Sequence, residues 1–223
     1  MPAADVALRK DLAAALDPVH FARRLGFEPD PWQAEVLRSP ARRIILNCCR
    51  QSGKSTTAAL LALHTALYRP PALVLLLSPS LRQSSELFRK VMHFYRRIAR
   101  ELPLAEAESA LRLELSNGSR IVSLPGKEAT VRGFSKVELL ICDEAARVGE
   151  ELYQAVRPMI AVSDGRLILL STPFGKRGFF YREWAEGGPD WLRIKVTADH
   201  CPRISPEFLE EEPKNSSARG VPR

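Results

Sequence analysis

Gly53-Lys54-Ser55, directly behind one apolar run, and Asp143-Glu144, at the end of another, are the residues whose types and spacing suit phosphate chemistry. Backbone N–H groups at a strand-to-helix turn, the helix N-terminus and one lysine can converge on β- and γ-phosphates, while the next hydroxyl ligates Mg²⁺. The stretch NCCRQSGKSTTAAL supplies that order, with RIILNC as the strand, CRQSG as the turn and Lys54 opening an Ala-rich helix. Cys48 stands where the phosphate-loop pattern G-x-x-x-x-G-K-[ST] has its first glycine. By itself, Gly-Lys-Ser at a helix start also arises by chance.

A phosphate loop needs an acidic partner, because Mg²⁺ requires an anchor and hydrolysis a base for water. Leu139-Leu140-Ile141-Cys142-Asp143-Glu144 ends an apolar strand on two acids, which sets Asp143 to hold the metal's shell and Glu144 to polarise water. Asp143 alone would equally serve as a helix cap. Together, in this order, the two motifs indicate an NTPase. A third strand, Leu167–Leu170, ends in Ser171-Thr172-Pro173, whose hydroxyls could reach the γ-phosphate or its water, or simply form a turn before proline.

These motifs must be held by a sheet. Strand-length apolar runs recur at 43–48, 72–78, 111–115, 120–124, 138–144, 166–171 and 192–197. Several are apolar on both faces, as in a buried parallel sheet. Helix-length segments at 54–68, 80–100 and 145–162 alternate with them, predicting a doubly wound, mostly parallel α/β layer of the P-loop NTPase type with helices on both faces. Ala4–Leu25 reads as one or two short helices and Trp32–Arg38 as another, expected to pack on the sheet edge. Asn117-Gly118 between alternating runs marks a hairpin over Leu111–Leu124.

With 45% hydrophobic residues among 223, the chain has enough for one substantial core, expected over residues 1–212. From Glu207, EFLEEEPKNSSARGVPR loses apolar periodicity, and 213–223 reads as a disordered or frameshifted tail or an engineered boundary. Lys and Arg total 33 against 26 acids, and the net +7 suits a polyanion such as nucleic acid, though it also fits mere solubility. Arg82, Arg89, Lys90, Arg96 and Arg97 on the segment after the second strand would offer a phosphate-facing surface, or a solvated helix face. Cysteines at 48, 49, 142 and 201 form no C-x-x-C pair, which points to a reducing cytosol without a metal cluster. The N-terminus lacks a signal-peptide core and no apolar run has membrane-span length, so no membrane association is expected.

From about residue 17 to about residue 212 the chain resembles the ATPase domain of the terminase large subunit, the motor that packages DNA into tailed-phage and related capsids. Its Walker A variant, R-Q-x-G-K-[ST], has no strict first glycine and matches Arg50-Gln51-Ser52-Gly53-Lys54-Ser55, with Thr56 next along the helix. Pro31-Trp32-Gln33 resembles the adenine-recognition segment. Leu77-Ser78-Pro79-Ser80 with Gln83, Leu124-Pro125-Gly126 and Arg132-Gly133 resemble intervening family segments. Asp143-Glu144-Ala145-Ala146 resembles the Walker B ending, and Ser171-Thr172-Pro173 with Gly175 and Gly178 the coupling motif. The resemblance implies ATP and Mg²⁺ as cofactors, with Lys54 on phosphate, Ser55 and Asp143 on the metal and Glu144 as catalytic base. It implies Arg50 at the γ-phosphate in the same subunit, and Arg132 as the candidate arginine acting on a neighbour. Double-stranded DNA, a portal protein, a small terminase subunit and a homo-oligomeric ring on the portal are the implied partners, in the bacterial cytoplasm.

Full terminases carry a nuclease domain with an acidic metal cluster after the ATPase, and DNA cleavage by this chain is not expected. Two other readings share the motifs: a superfamily 2 helicase fragment, and a prophage remnant or assembly-binding module that folds without turning over ATP.

Overall fold

Arg43–Cys48 (β1), Leu73–Ser78 (β2), Ala105–Glu108 (β3), Arg112–Leu115 (β4), Arg120–Pro125 (β5), Val137–Asp143 (β6), Arg166–Ser171 (β7) and Trp191–Val196 (β8) join in one eight-stranded sheet. The computed structural model describes residues 3–99, 105–126, 133–202, 204 and 207; the tail expected at 213–223 and Arg132 lie outside them. Strand order is β3-β4-β5-β2-β6-β7-β1-β8. All neighbours from β5 to β8 pair in parallel, and only β3-β4 and β4-β5 are antiparallel. The doubly wound, mostly parallel α/β expectation holds.

The helices are Ala3–Leu16 (α1), Pro18–Arg24 (α2), Pro31–Arg38 (α3), Lys54–Tyr68 (α4), Leu81–Ile98 (α5), Glu150–Ala161 (α6) and Gly178–Glu186 (α7). Strand alternation sends Ile44, Leu46 and Cys48 into one core with α4 and α5, and Ile45, with Leu167 and Leu169, into a second with α6 and α7. Helix α4 is buried on nearly every side, from Thr57 to Leu67. It is covered by the sheet on one side and by α2 and α3 on the other. Each of its buried leucines contributes about 1.5–3 kcal/mol. Helices α2 and α3 therefore pack on α4 and not on the sheet edge, with α1 laid on α2: Phe21, Val36 and Leu37 are apolar and have a helix face to fill.

The expected hairpin is present as β4-β5, with Gly118 at φ 82 and the Asn117 side chain accepting the Ser119 N–H at 2.9 Å. The helix expected over 145–162 is divided. Glu144 adopts the left-handed conformation at φ 51, Ala145–Arg147 form one 3-10 turn, and α6 begins at Glu150 after the N-cap Gly149. Strand β3 and helix α7 were not anticipated. Among the described residues no helix is long and apolar enough to cross a membrane, and all four cysteines are free thiols.

Candidate functional site

The parallel strands β1, β6 and β7 lie side by side, so their carboxyl ends bring Cys48, Asp143 and Ser171 to one edge of the sheet. After β1 the chain turns through Cys49–Gly53 and enters α4. Gln51 at φ 59 and Gly53 at φ 88 take the left-handed conformations that this turn needs. Gly53 has no Cβ to oppose it. Cys48 carries no such demand: it is the last extended residue of β1, fully buried on the α4 side. Burial pushes its thiol up to about 12, leaving a small neutral core group. A glycine is therefore not required at 48.

Lys54 opens α4 with its side chain only 9% exposed and its Nζ 3.3 Å from Oε1 of Glu144. Ser55 donates from Oγ to Oδ2 of Asp143 at 3.1 Å, across 88 residues of sequence. Asp143 is buried, and its other oxygen accepts the Glu144 N–H at 3.0 Å. Burial, then the charge of Glu144, raise the Asp143 pKa, against the lowering pull of Lys54 and the Ser55 hydrogen bond. A buried carboxylate in this state is poised for a cation. Ser55 and Asp143 fit Mg²⁺, which takes hard oxygen ligands and commonly uses only one or two from protein. Among the described residues no group of three His, Cys, Asp or Glu side chains is placed to hold a metal by itself.

Glu144 reaches the third strand as well. Thr172 donates from Oγ1 to its Oε2 at 3.3 Å. Ser171 accepts the Ala146 N–H at 3.2 Å and donates to the Thr172 carbonyl at 2.9 Å, fastening the 3-10 turn to β7. Pro173 follows at the surface.

The structure thus brings Lys54, Ser55, Asp143, Glu144, Ser171 and Thr172 together. Ser52 is buried beneath the loop, Thr56 is half-buried on the first turn of α4, and Arg50 and Gln51 are exposed. Trp32 and Gln33 stand on α3, against α4. Trp32 packs on the core, whereas Gln33 is fully buried and its Oε1 accepts the Asp30 N–H at 2.9 Å in a capping box. Sequence reasoning passed over Arg147, whose NH1 lies 3.2 Å from Oε2 of Glu144. The spacing of three residues between opposite charges was its available signal.

The family model that matches, over residues 45–218, is described as terminase large subunit, T4likevirus-type, N-terminal. The large terminase subunit of Thermus virus P23-45 is 29% identical over 206 residues, covering 84% of this chain and 42% of that protein. The chain therefore spans less than half the length of the curated relatives it matches. Among solved structures, the large terminase ATPase domain of Thermus phage P74-26 superposes with a TM-score of 0.74 at 24% identity, covering 91% of this chain and 92% of that one. A large terminase from a thermophilic bacteriophage, solved with ADP, gives 0.63 at 17% identity over 82% of this chain and 49% of that one. These structural likenesses bear on the fold.

Proposed function

The chain belongs to the terminase large subunit family, T4likevirus-type, matching its N-terminal part, and from that premise we propose that it hydrolyses ATP as the motor domain of a DNA-packaging machine. The observation that carries the reading is the convergence of Lys54, Ser55, Asp143 and Glu144 from two distant segments on one edge of the sheet. Binding of ADP by a family relative supports nucleotide as the ligand. The other two readings, helicase fragment and inactive remnant, are not favoured by the family match.

Lys54, with the N–H groups of Gln51–Ser55, holds the phosphates, and Arg50 meets the γ-phosphate from the loop's exposed side. Ser55 and Asp143 would hold Mg²⁺, which would supply charge neutralisation on the phosphate oxygens. Glu144 orients water and takes its proton as the water oxygen bonds to the γ-phosphorus; the bond to the β–γ bridging oxygen breaks and ADP leaves with the electron pair. Ser171, Thr172 and Pro173 sense this exchange through Glu144. Arg132 remains the candidate for completing a neighbour's site in a homo-oligomeric ring. Double-stranded DNA, a portal protein and a small terminase subunit are the proposed partners, in the bacterial cytoplasm.

Phosphate release by the purified chain tests the reading. Lys54→Ala should abolish turnover, since its charge-assisted hydrogen bonds are worth about 1.5–3 kcal/mol each. Glu144→Gln should keep ATP binding and lower turnover about a hundredfold or more. Unchanged turnover in Lys54→Ala would overturn the assignment.

A further inference from the structure

Both carboxylate oxygens of Glu144 are engaged, and by different partners. Oε1 faces only Lys54 among the described contacts, at 3.3 Å, whereas Oε2 accepts from Thr172 at 3.3 Å and lies 3.2 Å from NH1 of Arg147. Arg147 is held from both ends. Its backbone N–H donates to the Glu144 carbonyl at 2.8 Å within the 3-10 turn, and its guanidinium carbon sits 4.7 Å from the centre of the Phe174 ring. Phe174 is a large apolar side chain left 39% exposed, and Arg177 approaches the same ring at 4.4 Å. A guanidinium stacks on an aromatic face while its N–H fork still reaches a carboxylate, a combination that an ammonium cannot reproduce.

We infer that Arg147 is a positioning residue: with Thr172 it fixes Oε2 of Glu144, leaving Oε1 as the oxygen that meets water once Lys54 turns from the carboxylate to phosphate. The inference rests on the reading of Glu144 as base and deepens it. Lys54 cannot serve Oε1 and the phosphates equally, so substrate binding frees that oxygen alone. Without the hold on Oε2, the carboxylate would be freed at both oxygens and could rotate out of line. Phe174 ties this hold to the segment Thr172–Gly178 that leads into α7, so a shift of that segment re-aims the base.

The test compares Arg147→Ala, Arg147→Lys, Phe174→Ala and Glu144→Gln in the full chain, measuring kcat, KM for ATP and the Kd of a slowly hydrolysed ATP analogue. Arg147→Ala should lower kcat about ten- to a hundredfold, the scale of a small misplacement of a reacting group, with KM and analogue Kd within about twofold. Arg147→Lys should restore part of kcat, since the charge returns without the fork or the stack. Phe174→Ala should lower kcat less, and the double variant Arg147→Ala with Phe174→Ala should match Arg147→Ala alone, because Phe174 acts through Arg147. A kcat within twofold of the unsubstituted chain in Arg147→Ala, while Glu144→Gln is severely impaired, would overturn the inference and leave the base assignment standing. So would equal losses in kcat and in analogue affinity. Turnover untouched by Glu144→Gln would instead overturn the base reading beneath it.

Discussion

Gln33 carries two demands. Its Oε1 closes the capping box of α3 on the Asp30 N–H, which commits one of the oxygen's two lone pairs and gives the amide N–H group the larger share of any contact with a base. A donor finds an acceptor on adenine and guanine alike. Gln33→Ala should therefore cost about 1–2 kcal/mol of stability, seen in urea unfolding, while changing ATP-over-GTP preference less than tenfold. A large loss of discrimination at unchanged stability would assign Gln33 to the base instead. His64 gives a pH prediction. It is buried, donates from Nε2 to the Ala14 carbonyl at 3.1 Å, and lies edge-on to Phe21 and tilted against Tyr68. Burial, aided by the charges of Arg69 and Arg166, lowers its pKa below the ordinary value, against the raising effect of the Ala14 and Ala15 carbonyls. The unfolded chain then binds a proton that the folded chain resists. This contribution is fully present above about pH 6.5 and is lost as pH falls toward the folded pKa. Urea midpoints should drop between pH 7 and pH 5, and His64→Gln should flatten that slope; an unaltered slope would remove His64 as its source.

Close backbone approach decides the joins between elements. A Cβ on Gly165 would collide with the Val137 carbonyl and lie 3.1 Å from that of Glu138, where α6 turns into β7 beside β6. Neither backbone atom can yield without shifting β6, which ends on Asp143. Gly165→Ala should cost about 1–3 kcal/mol, read as a fall in Tm, and should slow turnover if β6 moves. A Tm within 1 °C of the parent would contradict this packing account. Elements with strong patterns were legible in advance: β1, β2, β6 and β7 are continuous apolar runs, and α5 carries a clear apolar stripe. Those overlooked had no such pattern. Strand β3 is AEAE, an exposed antiparallel edge held by β4, and α7 starts at Gly178 without a side-chain cap and depends on Phe179 stacking 3.9 Å from Tyr153. The division of the 145–162 segment follows from Glu144 at φ 51, which no local propensity announces.

For the molecule as a whole, the basic residues of α5 make a weaker phosphate surface than their number suggests. Arg89 pairs with Glu86 at 2.8 Å, Arg96 with Glu108 at 2.9 Å, and Arg97 donates to the Leu25 carbonyl at 2.5 Å. Arg82 and Lys90 have no ion pair among the described residues. DNA binding through this face should be weak and independent of sequence, with log K falling against log salt at a slope of about −2, the value for two phosphate contacts. A slope beyond about −5 in a fluorescence titration would place the DNA surface elsewhere. The sequence by itself determined the layered α/β class and singled out Lys54, Ser55, Asp143 and Glu144 as the residues of the proposed site, because hydrophobic periodicity and the needs of phosphate chemistry are local. Tertiary structure alone decided that Glu144 is shared among Lys54, Thr172 and Arg147, that Gln33 is half committed to a cap, and that Arg89, Arg96 and Arg97 of the basic stripe are already engaged by other groups. Each of these depends on which strands are neighbours in space, and the order β2-β6-β7-β1 is fixed by packing on both faces of the sheet, between residues far apart in the chain.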